Sequence, residues 1–123
     1  MEQMRRWRAS PSCRWAVGIL MALVVGAAAS PAEAQETVNV TLIIKNHVFD
    51  QTEIKVPVGK PIVILVKNQD PGAEEFESNS LSIEKVLPGN SEGTFRVKPL
   101  AKGRYTFIGE YHEDTAHGAL VAE

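Results

Sequence analysis

Short stretches of alternating or continuous apolar residues recur along the chain from residue 37 onward. Residues 37–44 and 52–56 alternate apolar or β-branched side chains with polar ones, which is the period of a strand with one buried face. Residues 61–66 form a continuous apolar run, which suits a strand buried on both faces. The same reasoning predicts further strands over residues 81–87, 93–97, 104–108 and 118–121.

Turn-forming residues separate these predicted strands, and no long segment has the 3.6-residue period of an amphipathic helix. About seven short strands at this spacing predict an all-β fold, a Greek-key β-sandwich. The longest stretch without a strand pattern, residues 68–80, is acidic and is interpreted as a loop at one end of the sandwich. The side chains expected to fill the core are Phe49, Ile54, Val56, Ile62, Ile64, Val66, Leu81, Ile83, Phe95, Val97, Tyr105, Phe107 and Leu120.

The first 34 residues have a different pattern. Arginines at positions 5, 6, 8 and 14 precede an almost uninterrupted apolar run over residues 15–29, and Ala32-Glu33-Ala34 has small residues around a possible cleavage point. This layout predicts a secretory signal peptide over residues 1–34, cleaved after Ala34, and export to the periplasm. The alternative is a membrane anchor, but a run of about 15 residues is shorter than the roughly 20 that a spanning helix needs. We therefore expect a single domain over residues 35–123, with no membrane insertion of the mature chain.

Residues 35–123 carry thirteen acidic and nine basic side chains, and they contain no cysteine because Cys13 lies in the predicted signal peptide. A mildly acidic domain without a basic stripe is not expected to bind nucleic acid. All three methionines also precede residue 35, so the soft sulfur ligands that Cu(I) prefers are missing from the domain.

Candidate metal ligands are concentrated near the end of the chain. His112 and His117 lie five residues apart, with the carboxylate of Glu110 beside them. Imidazole suits Cu, Zn, Fe and Ni, while carboxylate oxygen shifts the preference toward harder ions. The two histidines converge on one ion if the polar, turn-prone residues 113–115 fold back. The alternative is a pair of exposed loop histidines with ordinary hydrogen bonds.

The order of these segments resembles the cupredoxins over a whole domain of that type. Residues 49–62 are similar to the opening strand pair of that family, and residues 67–68 to the strand end before its first-ligand loop. The spacing Tyr105-x-Phe107-x-Gly109-x-x-His112-x-x-x-x-His117 resembles the family's ligand loop. In this alignment Gly109 takes the cysteine position, His112 the histidine position and His117 the position of the axial methionine.

A blue copper site needs a cysteine thiolate, and this domain has none. Residues 74–78, 84–89 and 109–115 make the chain more similar to the cysteine-poor cupredoxins of bacterial iron uptake. That subgroup includes the cupredoxin-like domain of the EfeO type and the small periplasmic cupredoxins of ferrous-iron transporters. The family's first histidine ligand falls around Glu75, and Glu77 shares its parity in an extended segment.

This resemblance implies a site for Cu(II) and/or an Fe ion and a role in iron uptake. The expected partner is an inner-membrane iron permease or another periplasmic iron-uptake component, with an accessory, ferroxidase-like role in Fe(II) oxidation or in Fe(III) delivery. His47 supplies a third imidazole or is a half-buried strand histidine. Two alternatives stay open, a metal-free interaction module and a copper carrier or buffer. The candidate ligands are His112, His117, Glu75, His47, Glu110 and Glu77.

Overall fold

The computed structural model describes residue 26, residues 28–31 and residues 35–123. The predicted signal peptide and its cleavage site lie almost wholly outside these residues and stay predictions. Among the described residues there is no helix of the length and apolar character that crossing a membrane requires. The strands are β1 (Val38–Lys45), β2 (Val48–Phe49), β3 (Glu53–Val56), β4 (Ile62–Asn68), β5 (Glu74–Ser78), β6 (Ile83–Leu87), β7 (Ser91–Val97), β8 (Gly103–Gly109) and β9 (His117–Ala122).

The nine strands form two sheets with many connections between them. One sheet has the order β2-β1-β4-β7, and the other has the order β3-β9-β8-β5-β6. The pairs β1–β4 and β3–β9 are parallel, and the other neighbouring pairs are antiparallel. Only the pairs β1–β2, β5–β6 and β8–β9 join strands that are consecutive in the chain, and between them the chain crosses repeatedly from one sheet to the other. The predicted all-β sandwich is confirmed.

The core lies between the sheets and is filled by alternate residues of each strand. In β4, the predicted continuous apolar run, Ile62, Ile64 and Val66 are buried while the residues between them are half-buried. Phe76 is the centre of an aromatic cluster, with ring centroids of Phe49, Phe95 and Phe107 between 5.0 and 6.0 Å from its own. Such pairs add to the stabilisation from burial alone. Of the predicted core, Leu81, Ile83 and Tyr105 are only partly buried, and the others are buried.

Two strands lie where the sequence pattern predicted none. β5 lies in the stretch 68–80 that was interpreted as loop, and the two-residue β2 pairs with the end of β1. The acidic side chains of β5 concealed its alternation, since Glu75 and Glu77 face outward while Phe76 and Ser78 are buried. The interpretation of residues 74–78 as loop was therefore wrong, and the true loop is the shorter connection between β4 and β5.

Candidate metal centre

Glu74 is the first residue of β5, and its carboxylate is buried, with only 3% of the residue exposed. One oxygen, Oε1, accepts hydrogen bonds from the backbone N–H groups of Tyr111, at 2.9 Å, and Glu75, at 3.2 Å. The other oxygen, Oε2, lies 2.5 Å from Nδ1 of His112. The strand parity that buries Phe76 thus also directs Glu74 inward, toward the loop that follows β8.

A glycine makes room for this carboxylate. An added Cβ on Gly109, the last residue of β8, would lie 2.8 Å from Cδ and 2.9 Å from Oε1 of Glu74. It would also lie 2.8 Å from Cβ of Ala116. Contacts this short are not compatible with any side chain at position 109 unless Glu74 and Ala116 move. The Glu74 carboxylate therefore occupies the space beside the position that the cupredoxin resemblance assigns to cysteine.

His112 ends the short 3₁₀ turn Glu110–His112 between β8 and β9. Its backbone carbonyl accepts hydrogen bonds from the N–H groups of Thr115 and Ala116, and Gly109 donates its N–H to the carbonyl of Ala116. These bonds close the connection into a tight, folded-back loop. The imidazole is about one-third exposed, so it lies at the boundary between the buried carboxylate and solvent.

His47 lies on the two-residue turn between β1 and β2. Both turn residues have positive φ, 53° at Asn46 and 60° at His47. Two consecutive left-handed residues are the conformation of a type I′ hairpin turn, which matches the twist of the flanking strands. Of the two sequence interpretations of His47, the half-buried strand histidine was wrong, because the residue is exposed and the chain reverses here, with β2 beginning only at Val48.

The three side chains meet at one end of the sandwich. The imidazole rings of His47 and His112 are stacked, with centroids 3.5 Å apart and planes inclined by 15°. One ligand atom from each of His47, Glu74 and His112 lies within 4.8 Å of the other two. The three elements that carry them are far apart in sequence, namely the β1–β2 turn, the start of β5 and the β8–β9 loop. The fold therefore assembles a nitrogen–oxygen–nitrogen donor set.

Asp70 binds the turn that carries His47. Its carboxylate accepts the N–H of Asn46 at 2.6 Å and the N–H of His47 at 2.9 Å, and Oδ2 lies 3.6 Å from Nδ1 of His47. Burial by itself would raise the pKa of Asp70, but the hydrogen bonds from His47 and Asn46 outweigh burial and hold that pKa below its ordinary value. Asp70 therefore carries its negative charge beside the turn at neutral pH.

Asn68 in turn holds the Asp70 segment. Its side-chain amide donates to the carbonyls of Gly72, Leu87 and Pro88, and its Oδ1 accepts the N–H of Asp70 at 3.0 Å. The residue is 2% exposed, so these bonds satisfy a buried amide that would otherwise be costly. Asn68 consequently holds the connection from β4 to β5 at Asp70 and at Gly72.

A cavity of about 380 Å³ opens next to the two imidazoles. It is lined by His47 and His112, by Tyr111, and by the polar residues of the β8–β9 loop. Glu113 and Asp114 lie on its wall, and their negative charges favour the approach of cations. The donor set is therefore accessible from solvent.

The structure places the other predicted ligands away from this group. His117 is exposed at the start of β9, opposite Ile108 in the register, and it lines a separate cavity with Thr52, Glu53 and Arg104. The residues that line this cavity include no member of the His47–Glu74–His112 group. The two histidines of the terminal segment thus belong to different sites on the surface, because β9 begins directly after the turn and carries His117 to another face.

Glu75, Glu77 and Glu110 come together on the outer face of the second sheet. Hydrogen bonding to the side chain of Glu77 and the charges of Glu75 and Glu77 raise the pKa of Glu110. The alternation of β5 directs Glu75 and Glu77 outward and Glu74 inward, toward the imidazole pair. Glu110 lies beside the two outward carboxylates. The structure therefore groups them with one another and not with His47 and His112.

Sequence reasoning missed Glu74 as a member of the site. A signal was present, since Glu74, Phe76 and Ser78 share one parity and Phe76 is strongly apolar. A strand that buries Phe76 must also direct Glu74 to the same side. The density of acidic residues over 74–77 made this stretch look like solvated loop.

The donor set fits a cation with a preference for imidazole and carboxylate. Metal ligands must be deprotonated, so a cation held by both groups would replace the hydrogen bond between Glu74 Oε2 and His112 Nδ1. Mixed N,O sites suit Cu(II) and the harder divalent ions, whereas the His₂Cys set of blue copper requires a thiolate. Residues 35–123 contain no cysteine, so they do not fit a blue copper centre.

Comparison with known proteins agrees with this architecture. The model of the cupredoxin-like domain family matches residues 17–122. The uncharacterized protein RP394 of Rickettsia prowazekii (strain Madrid E) is 34% identical over 82 residues, which are 67% of this chain and 66% of that protein. The chain therefore spans just under two thirds of that relative's length.

Solved structures share the fold at low sequence identity. One is the metal binding domain of the Cu(I) exporting P-type ATPase CopA of Streptococcus pneumoniae D39, with 16% identity and a TM-score of 0.61 over 73% of this chain and 98% of that one. Another is auracyanin A, a "blue" copper protein of Chloroflexus aurantiacus, with 17% identity and a TM-score of 0.61 over 72% of this chain and all of that one. Because the family model covers most of the sequence and the two sheets have the matching architecture, the chain belongs to the cupredoxin-like domain family.

Proposed function

We propose that this protein binds Cu(II) through His47, Glu74 and His112. The observation that carries the proposal is the convergence of three ligand atoms within 4.8 Å from three separate segments. The solved neighbours with this fold include a Cu(I)-binding domain and a "blue" copper protein, which supports copper as the class of metal. When bound, Cu(II) would supply a Lewis-acidic, one-electron redox centre at the end of the sandwich.

The buried carboxylate distinguishes this centre from a blue copper site. Glu74 provides a hard oxygen donor beside Gly109, and the domain offers no thiolate or thioether. Hard donors favour Cu(II) over Cu(I) and also accommodate iron. The site is therefore a weakly coloured one, without the intense thiolate charge-transfer band. This donor chemistry makes a carrier of Cu(I) the less favoured alternative.

Titration of the metal-free protein with Cu(II), followed by calorimetry and electron paramagnetic resonance, tests the proposal. Wild type is expected to give an axial signal with nitrogen hyperfine coupling. His112→Ala is expected to lose more than about 100-fold in affinity, since removal of a ligand exceeds the 10–100-fold cost of outer-shell changes. His117→Ala is the matched control and should bind as wild type does. Only aquo-copper in wild type would contradict the proposal and favour a metal-free interaction module. Equal losses in the two variants would contradict the assignment of the ligands.

We further propose that the bound metal serves iron uptake in the periplasm. This role is supported by the resemblance of residues 74–78, 84–89 and 109–115 to the cysteine-poor cupredoxins of such systems, and by the carboxylate in the donor set. The protein would aid the one-electron oxidation of Fe(II), with bound Cu(II) as the electron acceptor, or pass Fe(III) to an inner-membrane permease. The test is Fe(II) oxidation by the copper-loaded protein, measured against His112→Ala, together with Fe(III) binding by the metal-free form. Oxidation no faster than that with His112→Ala, combined with no Fe(III) binding, would leave a copper carrier or buffer as the better description.

A further inference from the structure

The turn that carries His47 has a backbone conformation that its own sequence does not favour. Asn46 and His47 have φ values of 53° and 60°, in the left-handed region that glycine adopts most readily. Asparagine tolerates this region, but histidine does so less often. Conformations of this kind persist only where the surrounding structure holds them, and they are concentrated at functional sites. The contacts that hold the His47 peptide are therefore informative about the site.

Asp70 holds the turn on its N–H side. Its carboxylate accepts both N–H groups of the turn, at 2.6 and 2.9 Å, and only 6% of the residue is exposed. Asp70 is held in turn by Asn68 through a 3.0 Å hydrogen bond to its backbone N–H, and Asn90 donates its N–H to the Asp70 carbonyl at 2.9 Å. The acceptor is thus fixed before any ligand arrives.

Thr115 holds the backbone of His47 at its carbonyl. Its hydroxyl donates to the His47 carbonyl at 2.5 Å and lies 3.4 Å from the His112 carbonyl. Thr115 belongs to the β8–β9 loop, 68 positions away in sequence from His47. One exposed side chain therefore connects the two segments that carry the stacked imidazoles.

We propose that Thr115 and Asp70 are positioning residues for the metal centre, holding the backbone of His47 at its carbonyl and at its N–H so that its imidazole stays beside that of His112. This inference rests on the proposed metal function. A fixed pair of imidazoles loses less freedom when a cation binds, so the hydrogen bonds contribute to affinity without contacting the ion.

Thr115 allows a clean test because it is exposed and does not take part in the core. Thr115→Val keeps the shape of the side chain but removes the donor, while Thr115→Ser keeps the donor. Thr94→Val, at an exposed position in the middle of β7, is the control for the general effect of this substitution. Thermal unfolding of each variant establishes that the fold is intact.

The experiment is Cu(II) titration of wild type, Thr115→Val, Thr115→Ser and Thr94→Val, repeated with the first substitution in a His47→Ala background. Thr115→Val is expected to lower Cu(II) affinity by about 10–100-fold, the usual size of an outer-shell effect, and to alter the nitrogen hyperfine coupling. Thr115→Ser should restore both. In the His47→Ala background, Thr115→Val should have no further effect, since the ligand that it positions is gone.

The outcomes separate the two proposals. Wild-type binding of Cu(II) together with an unchanged Thr115→Val variant overturns the positioning role and leaves the metal function in place. An equal loss from Thr115→Val with and without His47 also overturns it, because the effect would then be a general one. Absence of binding in wild type overturns both.

Asp70→Asn keeps the size of the side chain but weakens its acceptance of the two N–H groups, and it is expected to lower Cu(II) affinity in the same way. Wild-type affinity in this variant would contradict the role of Asp70.

Discussion

The carboxylate of Glu74 lies where a side chain on Gly109 would have to be, with Cδ of Glu74 only 2.8 Å from the Cβ position of residue 109. The cupredoxin resemblance assigns that position to the cysteine ligand. A cysteine side chain at position 109 and the buried Glu74 carboxylate would therefore occupy the same space, so only one of them fits. A domain that keeps Glu74 in this orientation has to keep glycine at position 109.

Replacing Gly109 with alanine tests this relationship. The new methyl group would displace the Glu74 carboxylate and press on Ala116, so we expect Gly109→Ala to lower Cu(II) affinity by about 10–100-fold, as changes that misplace a ligand do. Gly103→Ala in the same strand is the matched control, because its nearest new contact is 3.6 Å away. Calorimetric titration measures both variants. Wild-type affinity in Gly109→Ala would show that the carboxylate does not take part in binding.

Two neighbouring carboxylates in β5 allow a direct comparison of inward and outward positions. Glu74→Gln removes the buried charge and is expected to lower Cu(II) affinity by more than about 100-fold, beyond the range of outer-shell substitutions. Glu75→Gln removes the same charge from the outer face and should change affinity by less than about threefold, since only a distant, solvent-screened field is lost. Equal effects in the two variants would indicate that the acidic outer face, and not Glu74, attracts the ion.

The aromatic cluster is expected to dominate the stability of the domain. Phe76→Ala removes a ring that contacts three other phenylalanines, and such truncations cost about 3–5 kcal/mol. Tyr111, which is 50% exposed, is the aromatic control, and Tyr111→Ala should change the free energy of unfolding by no more than about 0.5 kcal/mol. Urea denaturation provides both values. Phe76→Leu, which retains most of the volume, should have a free energy of unfolding between those of the two alanine variants. A loss of stability in Phe76→Ala no greater than that in Tyr111→Ala would contradict the central role of this ring.

The acidic outer face is expected to make stability depend on pH. Hydrogen bonding to Glu77 and the charges of Glu75 and Glu77 raise the pKa of Glu110 above its ordinary value of 4.5. The folded state therefore binds the proton of Glu110 more tightly than the unfolded chain does. The free energy of unfolding consequently falls as the pH rises from the ordinary pKa of glutamate through the raised pKa of the folded state. In the metal-free protein, Glu110→Gln should raise the Tm near pH 7 and leave it unchanged near about pH 3, where wild type is also protonated. The control is Glu92→Gln, since Glu92 lies opposite Lys67 in the sheet, and it should not raise the Tm at neutral pH. A similar increase of the Tm in Glu92→Gln would indicate that net charge is the cause.

The prediction of the fold succeeded because most strands bury one face, and the resulting alternation is visible in the sequence. β4 and β7 were predicted nearly to their ends. β5 was missed because its outward residues are acidic and its inward set begins with a glutamate. Local hydropathy cannot distinguish a carboxylate that is buried against a histidine from one that is solvated, since the partner lies 38 positions away.

Sequence alone determined the kind of chemistry that residues 35–123 can offer. With no cysteine or methionine in this range, its side chains offer nitrogen and oxygen donors but no sulfur. It also determined the sandwich, through the spacing of short apolar strands. The tertiary structure decided which donors meet. It brings His47, Glu74 and His112 together and carries His117 to another face, because the position of a side chain in space depends on strand parity and on how turns reverse the chain. The hydrogen bonds of Asp70 and Thr115 to the His47 turn are likewise long-range contacts, which only the packed sheets create.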